Sequence, residues 1–430
     1  MEYARVIIMD IAYGGDGVGR LSDGSVVFVP FTAVGDDVEI EITERKATFC
    51  RGAVRQIVSA GQGRATPLCR YYGRCGGCSY QHLTYETEVA CKAKQFKTLM
   101  SRVGKFETFP ELESVNPSPQ DYGYRNKLRL EPGERTLEAT GYYVPYGYFE
   151  RDNTTFMMVK SCPLAQEALN KLLPKAIRSD WGKQNAKRKE PYPLTLRITT
   201  DGDCCFYFGQ ASQKLSWLKE KLLDVTYRVP VGGFWQVNPL VAERLLKTVK
   251  AWCEALPAKG HLLDIYGGAG TFTMQLGPMF SHRSLVESDV PAVNAADFAL
   301  QEAGLITELW KGPAEEFLSA ADGPLANIDL DQTVAVIDPP RMGCLPKAIS
   351  ALRDRPPKYL IYVSCNPATL ARDLKLLCAD GLYKPEKCAL FDMFPRTAHF
   401  ESVCCLYHQK KDFISGQYEP KDADHMQQLK

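Results

Sequence analysis

Long apolar runs are missing from this chain of 430 residues. No uninterrupted stretch approaches the roughly 20 residues that a bilayer-spanning helix needs, so no membrane is expected among its partners. The first fifteen residues are not expected to be a secretion signal either. Glu2, Arg5 and Asp10 break the short apolar run of the first fifteen residues, and a cytoplasmic location is expected. Nor is there an excess of charge of one sign: 52 Lys and Arg stand against 51 Asp and Glu, and a net charge of +1 does not advertise a nucleic-acid partner. With no secretion signal expected, the fifteen cysteines, an odd number, argue against a disulfide framework and for metal or catalytic use of some of them. What remains is ordinary for a globular protein of two or three domains: 45% hydrophobic and 24% charged residues, enough to bury a full core.

Residues 1–60 alternate apolar and polar positions in short runs, as at Arg5–Met9, Val26–Val29 and Val38–Ile42, separated by turn clusters such as Gly14-Gly15-Asp16-Gly17. This predicts a small all-β barrel. The segments Tyr13-Gly-Gly-Asp-Gly-Val-Gly-Arg20 and Val34-Gly-Asp-Asp-Val38 resemble the TRAM domain, a barrel that binds RNA in several RNA-modifying enzymes. Nine acids against six bases in these 60 residues weigh against tight non-specific phosphate binding by this module.

Three cysteines follow closely, Cys69, Cys75 and Cys78, and a fourth stands far away at Cys162. Structural zinc sites usually come as paired C-x₂₋₄-C halves. A trio with one distant partner is nearer an iron–sulfur arrangement, with unliganded core thiols as the bland alternative. Between trio and partner, Thr84–Met100 reads as a helix and Tyr122–Phe149 as strands, including Tyr124-Arg-Asn-Lys-Leu-Arg129. Three bases, an aromatic and an amide suit RNA contacts, and a charge-guarded strand edge equally. Residues 171–190 hold seven Lys or Arg and two acids, compatible with an RNA-facing surface or a solvated helix face.

From about residue 226 strands and helices alternate, as in a doubly wound α/β fold. His261–Tyr266 is a strand ending in Gly267-Gly-Ala-Gly270, and Ser284–Glu287 is the next, ending in an acid spaced to accept from ribose hydroxyls. The glycines lack the G-x-G-x-x-G spacing of NAD sites. Val334–Asp338 is a third strand, whose exit Asp338-Pro-Pro-Arg341 reads as a ligand-facing wall or a structural cap. Tyr359–Leu374 is the stretch around which the rest is organised. Its apolar run stops at Ser364 and a proline-started helix opens at Pro367, which puts Cys365 at a strand-to-helix turn, where open α/β sheets bind ligands. A buried structural thiol is the alternative.

With the motifs Phe234-Trp-Gln-Val-Asn238, Asp264-Ile-Tyr-Gly-Gly-Ala-Gly270, Asp338-Pro-Pro-Arg341, Ser364-Cys-Asn-Pro367 and His399-Phe-Glu401 in that order, the chain resembles the RNA uracil-5-methyltransferases that use S-adenosylmethionine. The resemblance is nearest to the iron–sulfur-containing branch acting on large-subunit (23S) ribosomal RNA. It implies an α/β fold with a Rossmann-like methyltransferase domain (226–410), an N-terminal OB-like TRAM barrel (1–60), a central α+β iron–sulfur domain (61–225) and a mobile tail (411–430). It also implies Cys365 as nucleophile, Glu401 as base, Gln236, Tyr266, Glu287 and Asp338 as contacts of S-adenosylmethionine, and Cys69, Cys75, Cys78 and Cys162 as ligands of a 4Fe-4S cluster. The expected partner is RNA, 23S rRNA or else tRNA, and the expected state is a monomer.

Such residues suit the chemistry. Carbon 5 of uracil is a poor nucleophile until a thiolate adds to carbon 6, and a base must later remove the carbon-5 proton. A target uridine inside folded RNA has to be flipped out first. Three rival readings are weighed: a radical S-adenosylmethionine enzyme, an amino-group methyltransferase and a non-catalytic RNA-binding module. The first expects a cysteine trio with gaps of three and two residues rather than five and two, the second needs no nucleophilic cysteine, and the third leaves Cys365 and Glu401 unexplained.

Overall fold

The computed structural model of the chain describes residues 2–139, 141–211 and 217–409; the tail expected at 411–430 lies outside the described residues. The amino-terminal alternation folds into a small β-rich domain. Strands β1 (Glu2–Ile7), β2 (Asp10–Ile11), β3 (Gly17–Arg20), β4 (Val26–Val29), β5 (Asp37–Arg45) and β6 (Cys50–Ser59) form one sheet in the order β1-β5-β6-β4-β3-β2. Val6, Ile8, Val27, Val29, Val38 and Ile40 fill its core, as their period of two requires.

Helix α1 (Tyr85–Arg102) starts where Thr84 accepts the Thr87 N–H, with Glu86 and Glu88 in its first turn and Arg102 in its last, signs that suit the helix dipole. After β7 (Leu112–Asn116) come β8 (Lys127–Pro132), β9 (Thr136–Glu138), β10 (Gly141–Tyr143), β11 (Tyr146–Phe149), β12 (Phe156–Met158), α2 (Glu167–Arg178), α3 (Asp180–Ala186), β13 (Leu194–Ile198) and β14 (Cys204–Phe208). Five of these strands make a sheet ordered β12-β11-β8-β13-β14. One face of β13, Leu194, Leu196 and Ile198, shares a core with Leu169 and Leu173 of α2. Arg197 alternates to the other face, where its Nη2 donates to Glu220 at 3.0 Å and its Nη1 to the Pro230 carbonyl at 3.2 Å. This buried pair joins the central sheet to the next unit.

That unit reaches back into residues 61–225. The hairpin β15 (Trp217–Leu222) and β16 (Val225–Pro230) packs Leu222, Tyr227 and Val229 into the same core as Val241, Leu245 and Val249 of α4 (Pro239–Ala255). Then β17 (His261–Ile265), α5 (Thr271–Leu276), β18 (His282–Glu287), α6 (Val290–Glu302), β19 (Glu308–Lys311), α7 (Ala314–Ser319), β20 (Thr333–Ile337), α8 (Pro346–Asp354), β21 (Tyr359–Ser364), α9 (Pro367–Leu377), β22 (Tyr383–Phe391) and β23 (Glu401–His408) complete the large domain. Its eight-stranded sheet runs β19-β18-β17-β20-β21-β23-β22-β7, so β7 crosses from the central segment to its edge. The strands β17 to β21 are parallel, and β17, β20 and β21 are buried on both faces, which explains their unbroken apolar sequences.

Register sets up the site. Ile265 lies opposite Val286 and Ile337, and Ile337 opposite Tyr362. Tyr266, Glu287 and Asp338 are therefore each the next residue beyond one common line. Strand β23 returns antiparallel to β21 with Ser402 opposite Ser364, so Glu401 and Cys365 are the next pair outward.

Candidate active site

At the carboxyl edge of β17, the backbone turns sharply. Tyr266 takes φ 62°, Gly268 φ 56° and Gly270 φ 79°; a β-carbon on Gly268 would meet nothing within 4 Å, so the turn borders open space. A tyrosine held in the left-handed region stores strain that is typical of ligand sites. The Gly268 N–H donates to Glu287 Oε2 at 2.9 Å, and the Asp289 N–H to Glu287 Oε1 at 2.7 Å. These bonds hold the Glu287 carboxylate at the rim of the turn. Beneath it Asp264 accepts from the Thr273 N–H and hydroxyl through Oδ2, whereas its Oδ1 is buried without a partner. Burial pushes the Asp264 carboxyl up to about 6. Asp338 is raised as well, first by burial and then by the charges of Asp264 and Glu287. Three carboxyl groups thus converge on one rim.

Gln236 enters from the loop before α4. Its carbonyl accepts from Asn126 Nδ2 at 2.9 Å, and the Asn126 N–H donates to the Val237 carbonyl at 3.1 Å, so the motif 234–238 is tied to the central sheet. An orphaned buried carboxylate oxygen, the open side of Gly268 and the anchored Glu287 make a polar cradle. These acceptors fit a nucleoside with ribose hydroxyls and a cationic centre, as S-adenosylmethionine has.

Next to the cradle stands Cys365, half-buried. Asn366 caps α9 behind it: its Oδ1 accepts the Ala368 N–H at 3.1 Å, and its Nδ2 donates to the Arg341 carbonyl at 3.1 Å. Burial pushes the Cys365 thiol up to about 12; the charges of Glu401 and Asp338 add to this, and the Arg341 guanidinium opposes them. Glu401 is 7% exposed, its Oε2 has no hydrogen-bond partner, and burial followed by Asp338 raises its carboxyl well above the usual range. An unpartnered buried carboxylate beside a thiol is a proton acceptor in waiting.

Three further groups surround the pair. Arg341 Nη2 lies 2.9 Å from Nδ1 of His399, whose imidazole burial and the guanidinium lower to about 4, leaving it neutral and able to accept. Tyr13 comes from the barrel: its hydroxyl reaches Asn366 Oδ1 at 3.4 Å and its ring meets Phe400 edge-on at 6.3 Å. Sequence reasoning placed Tyr13 only in the TRAM-like segment, because nothing local marks a contact spanning more than 350 residues. Arg341 and His399 were visible in motifs, although their mutual bond was not.

The four cysteines come together elsewhere. Burial pushes the Cys78 thiol up to about 12, with further raising by Cys162, Cys75 and Cys69, so all four lie within electrostatic reach. Asn170 clamps Cys162, accepting its N–H at 2.9 Å and donating to its carbonyl at 3.0 Å. Gln81 accepts the Cys69 N–H at 3.0 Å. Among the described residues, no group of three or more His, Cys, Asp or Glu is gathered closely enough to hold a single metal ion. The metal site expected from the sequence is therefore not formed as a one-ion cage.

Comparison with known proteins gives three results. The model of the tRNA (uracil-5-)-methyltransferase family matches residues 213–410, and that of the TRAM domain residues 2–54. An uncharacterized RNA methyltransferase of Thermosynechococcus vestitus is 30% identical, the match covering 93% of this chain and 96% of that protein; one from a Nostoc species is 30% identical over 94% and 96%. The Pyrococcus abyssi tRNA (uracil-54, C5)-methyltransferase, solved with S-adenosyl-L-homocysteine, shares the fold, with a TM-score of 0.67 at 24% identity over 94% of this chain and 100% of that one.

Proposed function

Because this chain belongs to the tRNA (uracil-5-)-methyltransferase family and is an S-adenosylmethionine-dependent RNA methyltransferase with a TRAM domain, we propose that it methylates carbon 5 of a uridine in 23S rRNA through a covalent adduct on Cys365. The observation that carries this reading is the β21–β23 register, which brings a thiol and an unpartnered carboxylate side by side at the carboxyl edge of the sheet. An amino-group methyltransferase has no use for that pair.

S-adenosylmethionine, when bound, supplies an electrophilic methyl group on its sulfonium. Gln236, Tyr266, Glu287 and Asp338 would hold it, with Glu287 taking the ribose hydroxyls. The chain's own work is on the uracil ring. Cys365 Sγ adds to carbon 6, and the electron pair of the 5,6 double bond moves onto carbon 5 and the carbon-4 oxygen. Arg341 is the cation that favours the thiolate; the thiol proton passes to Asp338, which removes one of the two charges that oppose the thiolate and leaves Glu401 ionised for the later step. After carbon 5 carries its methyl group, Glu401 takes the carbon-5 proton, the double bond re-forms and sulfur leaves as thiolate.

Cys69, Cys75, Cys78 and Cys162 would hold a 4Fe-4S cluster through their thiolates. Four protein ligands leave no open iron site, so the cluster's part is structural. The resemblance to the iron–sulfur-containing branch, which acts on 23S rRNA, is the reason to prefer 23S rRNA over tRNA.

The test is a pair of variants with RNA from a strain lacking the gene. Cys365→Ala should abolish both methylation and denaturant-resistant RNA adducts. Glu401→Gln should accumulate an adduct that disappears when Cys365→Ala is added. Substantial activity in Cys365→Ala would sink the covalent mechanism. Mapping of 5-methyluridine in the two RNA pools by mass spectrometry decides the substrate: loss from tRNA alone would replace 23S rRNA.

A further inference from the structure

On the outer face of the central domain lies a patch that the methylation chemistry does not use. A cavity of about 300 Å³ is lined by Trp181, Gln184, Arg188, Tyr192 and Phe208 among others. Trp181 is 63% exposed, a large cost for an indole that has nothing to bind, and only its edge meets Phe206, 6.0 Å between centroids. The Arg188 guanidinium lies over the Tyr192 ring, 4.1 Å from its centroid, and its Nη2 donates to the Tyr192 hydroxyl at 2.7 Å. Buried Asn185 clamps the Tyr192 backbone on both sides, accepting its N–H at 3.1 Å and donating to its carbonyl at 3.1 Å. The platform is rigid.

Next to it, Arg135 donates to the carbonyls of Lys187 and Arg188 at 3.2 and 2.9 Å and covers the Tyr142 ring at 4.4 Å. The charge is one-sided. Among the described residues, no carboxylate pairs with Lys187, Arg188 or Lys189, whereas Asp180 pairs with Lys183 at 3.6 Å. Exposed aromatics stacked under guanidinium groups, beside unpaired cations and a cavity wide enough for one base, match the chemistry of single-stranded nucleic acid: stacking for the bases, cations for the phosphates. Tyr207 of β14 also lines the cavity, so the patch sits at the β14 edge of the central sheet, beside the α2 core.

We propose that the Trp181–Arg188–Tyr192 patch is a second RNA-binding site, which stacks an unpaired stretch of the substrate away from the target uridine. The proposal rests on the reading that the substrate is RNA. In fluorescence anisotropy with a short mixed-sequence single-stranded oligoribonucleotide, the full-length protein should bind, and Trp181→Ala should weaken binding about tenfold. Arg188→Gln should weaken it as well and reduce the slope of log affinity against log salt by about 0.7. Both substitutions are at the surface, and unchanged melting temperatures will show that the fold is intact. An oligoribonucleotide carrying 4-thiouridine should crosslink to the segment 179–192. Affinity within twofold of wild type in both variants would overturn the proposal, and if their sedimentation also changed, the patch would be a protein contact instead. A wild type that methylates folded RNA but does not bind the oligonucleotide would overturn the patch and leave the proposed function standing. One that binds the oligonucleotide but methylates no RNA would do the reverse.

Discussion

At the residue scale, the site is a problem of charge around one sulfur. The Cys365 thiol is pushed up by burial and by two neighbouring carboxyl groups, with Arg341 and a backbone hydrogen bond pulling it down, so little thiolate exists at neutral pH. Removing a negative neighbour must lower the thiol pKa. Glu401→Gln is therefore expected to speed alkylation of Cys365 by iodoacetamide at pH 8 by roughly threefold to tenfold, a tenfold change being one pKa unit. Asp338→Asn should act in the same direction and Arg341→Gln in the opposite one. Peptide mass spectrometry over a pH series reads all three, and a slower Glu401→Gln would mean that the carboxylate accepts the thiol proton rather than repelling its charge. Cys365 and Glu401 were legible in the sequence because each sits at an edge of an apolar strand. The sign of their mutual influence was not, since it depends on burial and on partners far along the chain.

At the scale of elements, helix α1 holds the loop that leads into β23. Lys92, fully buried, donates to Glu88 at 2.6 Å, to Asp392 at 2.7 Å and to the Phe394 carbonyl at 3.3 Å. Arg396 continues the network: its N–H donates to Glu88 Oε1 at 2.7 Å, its side chain pairs with Asp121, and its backbone is held at φ 68°. Its carbonyl accepts the N–H groups of Ser79 and Tyr80, the residues just after Cys78. The loop 392–400 that delivers His399 and Glu401 is thus fastened from the central segment. Lys92→Met would remove the buried cation that two carboxylates share and is expected to cost about 3–5 kcal/mol, visible as a lowered melting temperature. Adding Glu88→Gln and Asp392→Asn should recover part of the loss. No recovery would show that packing, rather than charge, fastens the loop. Periodicity revealed α1, but a lysine inside it reads as a surface residue in any sequence, so this anchor was hidden.

At the scale of the whole molecule, three units meet around one edge of the large sheet. Strand β7 leaves the central segment to pair with β22, the barrel sends Tyr13 to Asn366, and Cys162 packs against the small core of Cys78, Tyr124 and Leu164. Anaerobically purified protein is expected to be brown and to contain iron and acid-labile sulfide, and replacing Cys162 by Ser should remove both and lower the melting temperature. Stoichiometric zinc without iron would sink the cluster. No helix of the described residues is long and apolar enough to cross a membrane.

Local pattern by itself determined the small β-rich domain, the α/β alternation and the strand ends that carry Glu287, Asp338, Cys365 and Glu401. These follow from short-range rules: period two, period 3.6, turn chemistry and the exit of apolar strands. Only the tertiary structure decided which strand ends meet, because register between β21 and β23 is a pairing of segments almost forty residues apart. It alone decided that β7 crosses between units, that Lys92 is an interior cation, and that Trp181 and Arg188 share a platform on the outer face. Each of these depends on which surfaces the folded chain buries together, and burial is a property of the whole fold rather than of any one segment.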